Sequence, residues 1–523
     1  MLTKNNFRAV LLGCAAVALL GACSGADGVA SPGVGAFVPP PSAPTTPTTP
    51  TTPTTPTTPT GGPAADCPAG FANIGVLADN RICQLPSTIT GNLVVPKRAG
   101  TLYSIAGRTQ VGTDLGRDPN APIAGRQSGI LTIEPGVTLF GNSGGDYLLV
   151  NRGSQIFAEG AANDPIIMTS RTDIEGNTTE NSIGQWGGLV ILGRAPTTDG
   201  CGAVTPPNIA CEAQVEGADA FYGGNTPTDN SGRIRYLRLS YSGFEIAPNN
   251  ELNGITLAGV GNGTTFEYVQ VHNSSDDGIE IFGGNVNLKY IVLTGIDDDG
   301  FDTDSGWRGA AQFGIVYQRS GGGDFGWETS SRGTNTADFF TRPTYANWTV
   351  VMRENSTRDA IVHNTGHTAR VYNTVIRHPG NHQCVNIATN STLNNPNGVD
   401  GNGPLYRSVF FSCAGGNGDG GAAGTTPATD IPDATVEALL THPTNVLNGT
   451  STLTGGFING ANENAVTASA FPTALNAGVG LGTSNTFITG FLTPVDYIGA
   501  VRNANDTWYA GWTCSLPGQP TCH

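Results

Sequence analysis

The sequence predicts an all-β protein: a parallel β-helix behind a disordered N-terminal linker, with an irregular C-terminal cap. Three observations predict it. The chain has 74 glycines in 523 residues and only 13% charged residues, a composition that favours many tight turns over long helices. Amphipathic helical patterns are nearly absent. In their place stand short runs rich in β-branched and aromatic residues, bounded by Gly, Asn and Asp. These runs recur at intervals in the twenties, lengthened by loops, which is the mark of a solenoid.

Taken in order, residues 1–22 read as a secretory signal. Lys4 and Arg8 make a positive start, and Ala9 to Leu20 is an apolar stretch too short to span a bilayer of about 30 Å. It ends in Leu20-Gly21-Ala22-Cys23, which resembles the bacterial lipobox. That resemblance implies cleavage before Cys23, lipidation of its thiol and, with Ser24 rather than Asp following, delivery to the outer membrane. Several acyl chains would hold the protein there stably. Residues 23–64 form a linker. Pro44 to Thr60 repeats Pro-Thr-Thr, a pattern suited to polyproline II with its prolines on one face. At ~3.1 Å per residue such a stalk reaches roughly 50 Å.

Losing Lys4 and Arg8 with the signal takes the net charge from −16 to near −18. Nucleic-acid binding needs a basic footprint and is excluded on this ground. An acidic surface suits cations. Eight cysteines remain in the body of the chain, in neighbouring pairs: Cys67/Cys83, Cys201/Cys211, Cys384/Cys413 and Cys514/Cys522. An even count in an exported chain reads as disulfides. The pairing proposed here rests on proximity alone. No C-x₂-C pair supports a metal site instead.

The β-helix is expected over residues 65–425. Its runs include Leu131-Thr132-Ile133, Tyr147 to Val150, Gln155 to Ala158, Ile166 to Met168 and Leu189 to Leu192. Further on, Arg235 to Leu239, Glu267 to Val271 and Lys289 to Leu293 align on tyrosines 236, 268 and 290. Phe313 to Tyr317, Trp348 to Val351, Val371 to Ile376 and Tyr406 to Phe411 continue the series. Coils stacked at about 4.8 Å would bury alternate side chains, with Asn and Gly at corners that need positive φ. A β-propeller would need a blade repeat of about 40–50 residues, which is not seen. Residues 426–523 are less regular and are expected to cap the open end. They include one short helix over Asp430 to Leu440.

Several segments resemble a family of right-handed parallel β-helix outer-membrane lipoproteins of proteobacteria and Bacteroidetes. They are Leu131 to Val137, Arg152 to Gly160, Gln185 to Ile191, Asp496 to Ala500 and Trp508 to Thr513. The likeness runs over most of residues 85–515. It implies a right-handed coil and, because members often occur near TonB-dependent receptors, an accessory role in nutrient capture. It transfers no catalytic residue.

The most informative motif repeats three times. Asp276-Asp277-Gly278-Ile279-Glu280 aligns with Asp298-Asp299-Gly300-Phe301-Asp302 and with Asp324-Phe325-Gly326-Trp327-Glu328, at offsets of 22 and 26 residues. In register, Asp276, Asp298 and Asp324 stack along one edge. Glu280, Asp302 and Glu328 stack along another, with Ile279, Phe301 and Trp327 turned inward. Stacked carboxylates repel unless a proton, a basic partner or a cation neutralises them. A calcium ion, which takes 6–8 oxygen ligands, is one candidate. Arg308, Arg319 and Arg332 are candidate basic partners. The competing structural role is capping of backbone groups at coil corners.

The same acids permit an enzyme. An inverting glycoside hydrolase needs two carboxyls about 6.5–9.5 Å apart. A polysaccharide lyase needs a cation and a base, with Arg308 the first candidate. The Asp-Asp-Gly element faintly resembles polygalacturonases, but their Gly-His-Gly and Arg-Ile-Lys signatures are missing. His363/His367 and His378/His382 are each four apart. On a strand that spacing parts the rings by about 13 Å, although Pro379-Gly380 can fold the second pair together. Gly141 to Gly145 superficially resembles a serine-protease nucleophile loop and reads instead as a coil corner. Trp307 and Trp327 are candidates for stacking on sugars, with the alternation favouring the core for Trp327.

The expectation is therefore a lipid-anchored outer-membrane protein, displayed at the cell surface. It would capture a ligand or assist a transporter such as a TonB-dependent receptor, without catalysis of its own. A lyase or hydrolase acting on a glycan, and a structural or adhesive surface protein, are the alternatives.

Overall fold

The computed structural model describes residues 61–201, 211–248, 250–320, 322–331, 340–395, 403–420, 431–471 and 490–522. The expected signal, Cys23, nearly all of the linker and Arg332 lie outside them. The chain divides into the units Met1–Thr58 and Pro59–His523, and the second holds every element below.

That second unit is a right-handed parallel β-helix, as its sequence predicts. Each coil contributes a short strand to an 11-stranded sheet and a longer one to a 15-stranded sheet. From Ile255–Ala258 onward the two alternate strictly along the chain. Pairing is parallel and in register: Ile279 sits beside Phe301 and Phe301 beside Trp327, while Glu280 meets Asp302 and Asp302 meets Glu328. Every second side chain enters one continuous core, which holds Ile279, Phe301, Trp327 and Trp348. The antiparallel hairpin Ala72–Leu77/Asn80–Gln84 begins the long-stranded sheet.

The long strands bend at one fixed position. Tyr236, Tyr268, Tyr290, Phe313, Asn347, Asn373 and Ser408 occupy equivalent places in successive coils, each with φ between 50° and 61°. This left-handed residue turns the strand, so two strands give each coil three faces. Corners of this kind were expected to use Asn and Gly. Here aromatic rings take four of them, because stacking offsets the strain. Centroids of Tyr236, Tyr268, Tyr290 and Phe313 follow one another at 4.4, 4.3 and 5.1 Å.

The expected C-terminal cap divides in two. The helix Asp433–Leu440 closes the end, with Val436 and Leu440 in the core. The remainder runs back along the line of bends. Ser408 donates to the Thr467 carbonyl, Asn373 to that of Ser469 and Asn347 to that of Tyr497. Trp512 meets Tyr236 and Tyr268 edge-on. This segment is therefore a lateral strap rather than an end cap, because the stacked rings offer it an apolar groove. The four disulfides are Cys67–Cys83, Cys201–Cys211, Cys384–Cys413 and Cys514–Cys522, the pairing expected from proximity.

Candidate functional site

The acidic motif forms the corner entering each short strand. Its glycine is required by stacking. A Cβ on Gly278 would stand 2.5 Å from the Gly300 carbonyl oxygen, and one on Gly300 the same distance from that of Gly326. The second aspartate of each doublet caps the next coil. Asp277 accepts from the Asp299 backbone N–H at 3.0 Å, and Asp299 from that of Phe325 at 2.8 Å. Corner capping is thus one role of the motif.

It does not account for the acids gathered around Asp277. Asp277, Glu280 and Asp302 are all buried, at 6%, 4% and 5% exposure, and their nearest carboxyl oxygens lie within 4.8 Å of one another. A second group, Asp276, Asp277 and Asp298, meets the same distance and shares Asp277. Asp276 is half-buried and Asp298 exposed. Loss of solvent, then Asp298, Glu216 and Glu251, pushes the Asp276 carboxyl up to about 8. Burial, followed by neighbouring acids, holds Asp277 and Asp299 far above the ordinary carboxylate range. Asp298 still reaches solvent, yet the protein packed around it and then Asp324 raise it to about 6.

Asn253 completes the buried group. Its Nδ2 donates to Glu280 Oε2 at 2.7 Å and to Thr256 Oγ1 at 3.2 Å. Its Oδ1 is buried and receives no hydrogen bond. A buried carbonyl oxygen on a side chain bonded to Glu280 is of the kind that calcium takes. Asn253 went unnoticed in the sequence, although Asn253-Gly254-Ile255 has the spacing of Asp277-Gly278-Ile279. Asp359 was also missed. It occupies the same corner column and accepts from the Gln383 N–H at 2.8 Å, but Ala360 replaces the glycine and disguises the motif.

The remaining candidates separate from the buried group. Asp324 accepts from Arg358 Nε at 3.1 Å, a partner the sequence did not suggest. Glu328 accepts from Asn364 and Ser330. Arg319 pairs with Asp297. Arg308 stands at the opposite turn of the short strand, where its Nε donates to the Phe340 carbonyl at 3.0 Å, so it does not serve the acidic corner. Trp307 and Trp327 are fully buried and cannot stack on a sugar. Trp327 lies instead on Tyr345, at 4.6 Å between centroids.

The histidine geometry corrects the strand estimate for one pair. His363 ends a strand, and the chain then turns at Gly366, φ +61°. The turn brings His363 Nδ1 and His367 Nε2 to 3.2 Å. His378 and His382 also fold together, at 5.4 Å between rings. Burial drives His363 down to about 3. The buried acids are also unlike an inverting hydrolase: their oxygens are closer than the gap of about 6.5–9.5 Å that admits a water, and no glycan reaches them.

A family model described as a pectate-lyase-like beta helix domain matches residues 120–407, more than half of the chain. No curated protein and no solved structure matches it. Among the described residues, no helix is long and apolar enough to cross a membrane.

Proposed function

The chain belongs to the family of pectate-lyase-like β-helix domains, and from that premise we propose a surface protein whose β-helix is set by a bound calcium ion. Its task is to capture a ligand at the outer membrane, alone or beside a transporter such as a TonB-dependent receptor. The Cys23 lipid anchor and the Thr/Pro stalk supply the address.

The observation that carries this reading is the convergence of Asp277, Glu280 and Asp302 within 4.8 Å in a buried site. Carboxyls gathered out of water must share protons or a cation. The orphaned Asn253 Oδ1, on a side chain bonded to Glu280, is a neutral oxygen of the kind that calcium also takes. The ion would offset the carboxylate charge of two adjacent coils at their shared corner and stiffen the face built on them.

Calorimetry of the Pro59–His523 unit with calcium chloride tests it. One ion per chain should bind, and Asp277→Asn or Glu280→Gln should abolish the heat. An absence of heat in the native protein at pH 8 would leave proton sharing as the explanation and overturn the cation.

A second reading is favoured by the family description: a polysaccharide lyase. Arg358, at the Asp324 edge of the ladder, would replace Arg308 as the base. Release of unsaturated product from an acidic polysaccharide, lost in Arg358→Gln, would establish it.

A further inference from the structure

A cleft of about 310 Å³ lies where the long strands Arg370–His378 and Leu405–Cys413 end, between Pro379 and the residues Asn448 to Ser451 that begin the strap. Its size sits at the lower end of the usual range for small-molecule sites. Among the described residues that line it, Arg377 carries the one permanent charge and none is an acid.

Arg377 is unusual in this acidic chain. Elsewhere arginines are taken up by carboxylates, as Arg233 is by Glu159, Arg235 by Glu267 and Arg502 by Asp496. Ile376 fills the core, so its neighbour Arg377 points outward, in register beside Ser412. Arg377 is half-buried. Among the described residues its guanidinium forms no ion pair and donates no hydrogen bond, and its nitrogens stay open to solvent. Glu463 lies behind Ser451 but is already spent. It accepts from Ser451 Oγ, from Thr452 N and Oγ1, and from Gly460 N.

The neutral groups around Arg377 also have protons to give. Ser412 Oγ accepts from the Ser451 N–H at 3.2 Å and keeps its own proton. Asn448 Oδ1 accepts from Asn417 Nδ2 at 3.0 Å, which leaves the Asn448 amide donors. Asn448 and Thr450 are both exposed. His378 adds nothing here, because Nε2 bonds the Arg358 carbonyl at 2.9 Å and Nδ1 accepts from the Gly380 N–H at 3.1 Å.

A guanidinium among neutral donors, with no carboxylate beside it, selects an anion. Its fork engages two oxygens at once. A carboxylate has no more than two, whereas a sulfate or phosphate ester keeps a third for hydroxyl and amide donors. We infer that this cleft binds a small sulfate or phosphate ester, two of its oxygens on Arg377 and the third on Ser412, Thr450 or Asn448. It gives the capture reading a ligand class and rests on that reading for its purpose, though it shares no residue with the Asp277 group.

The test is calorimetry of the metal-free Pro59–His523 unit in chloride buffer, with sodium phosphate, sodium sulfate and sodium acetate as probes. Phosphate or sulfate should bind, and acetate roughly fivefold or more weakly. The tighter of the two oxyanions says which ester the site prefers. Arg377→Gln should weaken that oxyanion roughly tenfold or more, and Ser412→Ala by a smaller factor. Arg377 points outward, so its variant should fold, and a melting curve checks this. Acetate binding as tightly as the better oxyanion, no binding of either oxyanion, or a folded Arg377→Gln protein that binds like the native one would overturn the inference. A separate calcium titration distinguishes the two sites: calcium binding without oxyanion binding removes the cleft alone, and oxyanion binding without calcium binding removes the cation alone.

Discussion

Gly300 illustrates how tightly the coil spacing constrains a single residue. Its neighbours in the motif are chosen for their carboxyl groups, but glycine is needed because the next coil's carbonyl already fills the place of a Cβ. An added methyl would lie 2.5 Å from the Gly326 oxygen, well inside contact distance, and the obstacle is backbone that cannot rotate away. Gly300→Ala should therefore cost roughly 1–3 kcal/mol through overpacking. Urea unfolding would register this as a lower midpoint with an unchanged slope. A midpoint equal to that of the native protein would mean that adjacent coils can part locally. The Asp-Asp-Gly motif was legible because acid, glycine and apolar positions repeat together. The trio of Asp277, Glu280 and Asp302 was legible for the same reason. Asn253 was not, since Thr256 stands where the acid should follow. Burial of Trp307 was also hidden, because it follows a turn where strand alternation no longer applies.

The long strand carries a second lesson, in its bend. Alternation identified Tyr236, Tyr268 and Tyr290 as register marks, which they are. It could not reveal that each adopts a left-handed backbone, since β-branched and aromatic runs normally signal extended chain. Later coils use Asn347 and Asn373 at the same position, residues that visit this region more readily. The His363/His367 contact is hidden for a related reason: strand spacing applies to a straight chain, and Gly366 reverses it. Two substitutions separate strain from stacking at the bend. Tyr268→Asn keeps a residue tolerant of φ +56° but removes the stacked ring, costing about 0.5–1.5 kcal/mol. Tyr268→Val loses the ring and adds β-branching at positive φ, for about 1–2 kcal/mol more. Thermal melting should rank native above Asn above Val. Equal melting temperatures for the two variants would show that the bend accommodates β-branching without strain.

Across the whole molecule, the strap and the acidic column act on the same stack of coils from different sides. The strap ties late coils to early ones: the Gln312 side chain bonds the backbone of Thr493, and Gln270 that of Cys514. Local loosening at the acidic corner is thereby resisted by distant contacts, and the unit should unfold as one. Its stability should follow pH in two opposed ways. Asp276 and Asp298 have folded values near 8 and 6, above the ordinary 3.8. The folded state therefore holds protons that the unfolded chain has released, and this contribution is present below about pH 4 and is lost as pH rises through 6 and 8. His363, held down near 3, does the reverse: its contribution is intact above about pH 6.5 and fades as pH falls towards 3. Between pH 6.5 and 8 the raised carboxyls still titrate, so the metal-free protein should lose melting temperature there, on the order of 5 °C. Calcium should abolish that decline, because a bound ion replaces the departing protons and its stabilisation grows with affinity. The check is a series of melts at half-unit intervals in chelator and in calcium, repeated on Asp277→Asn. A decline that persists unchanged in calcium would place the acids' protons, rather than a cation, at the centre of the corner. A flat metal-free profile would mean that the carboxyls ionise in the folded state without cost.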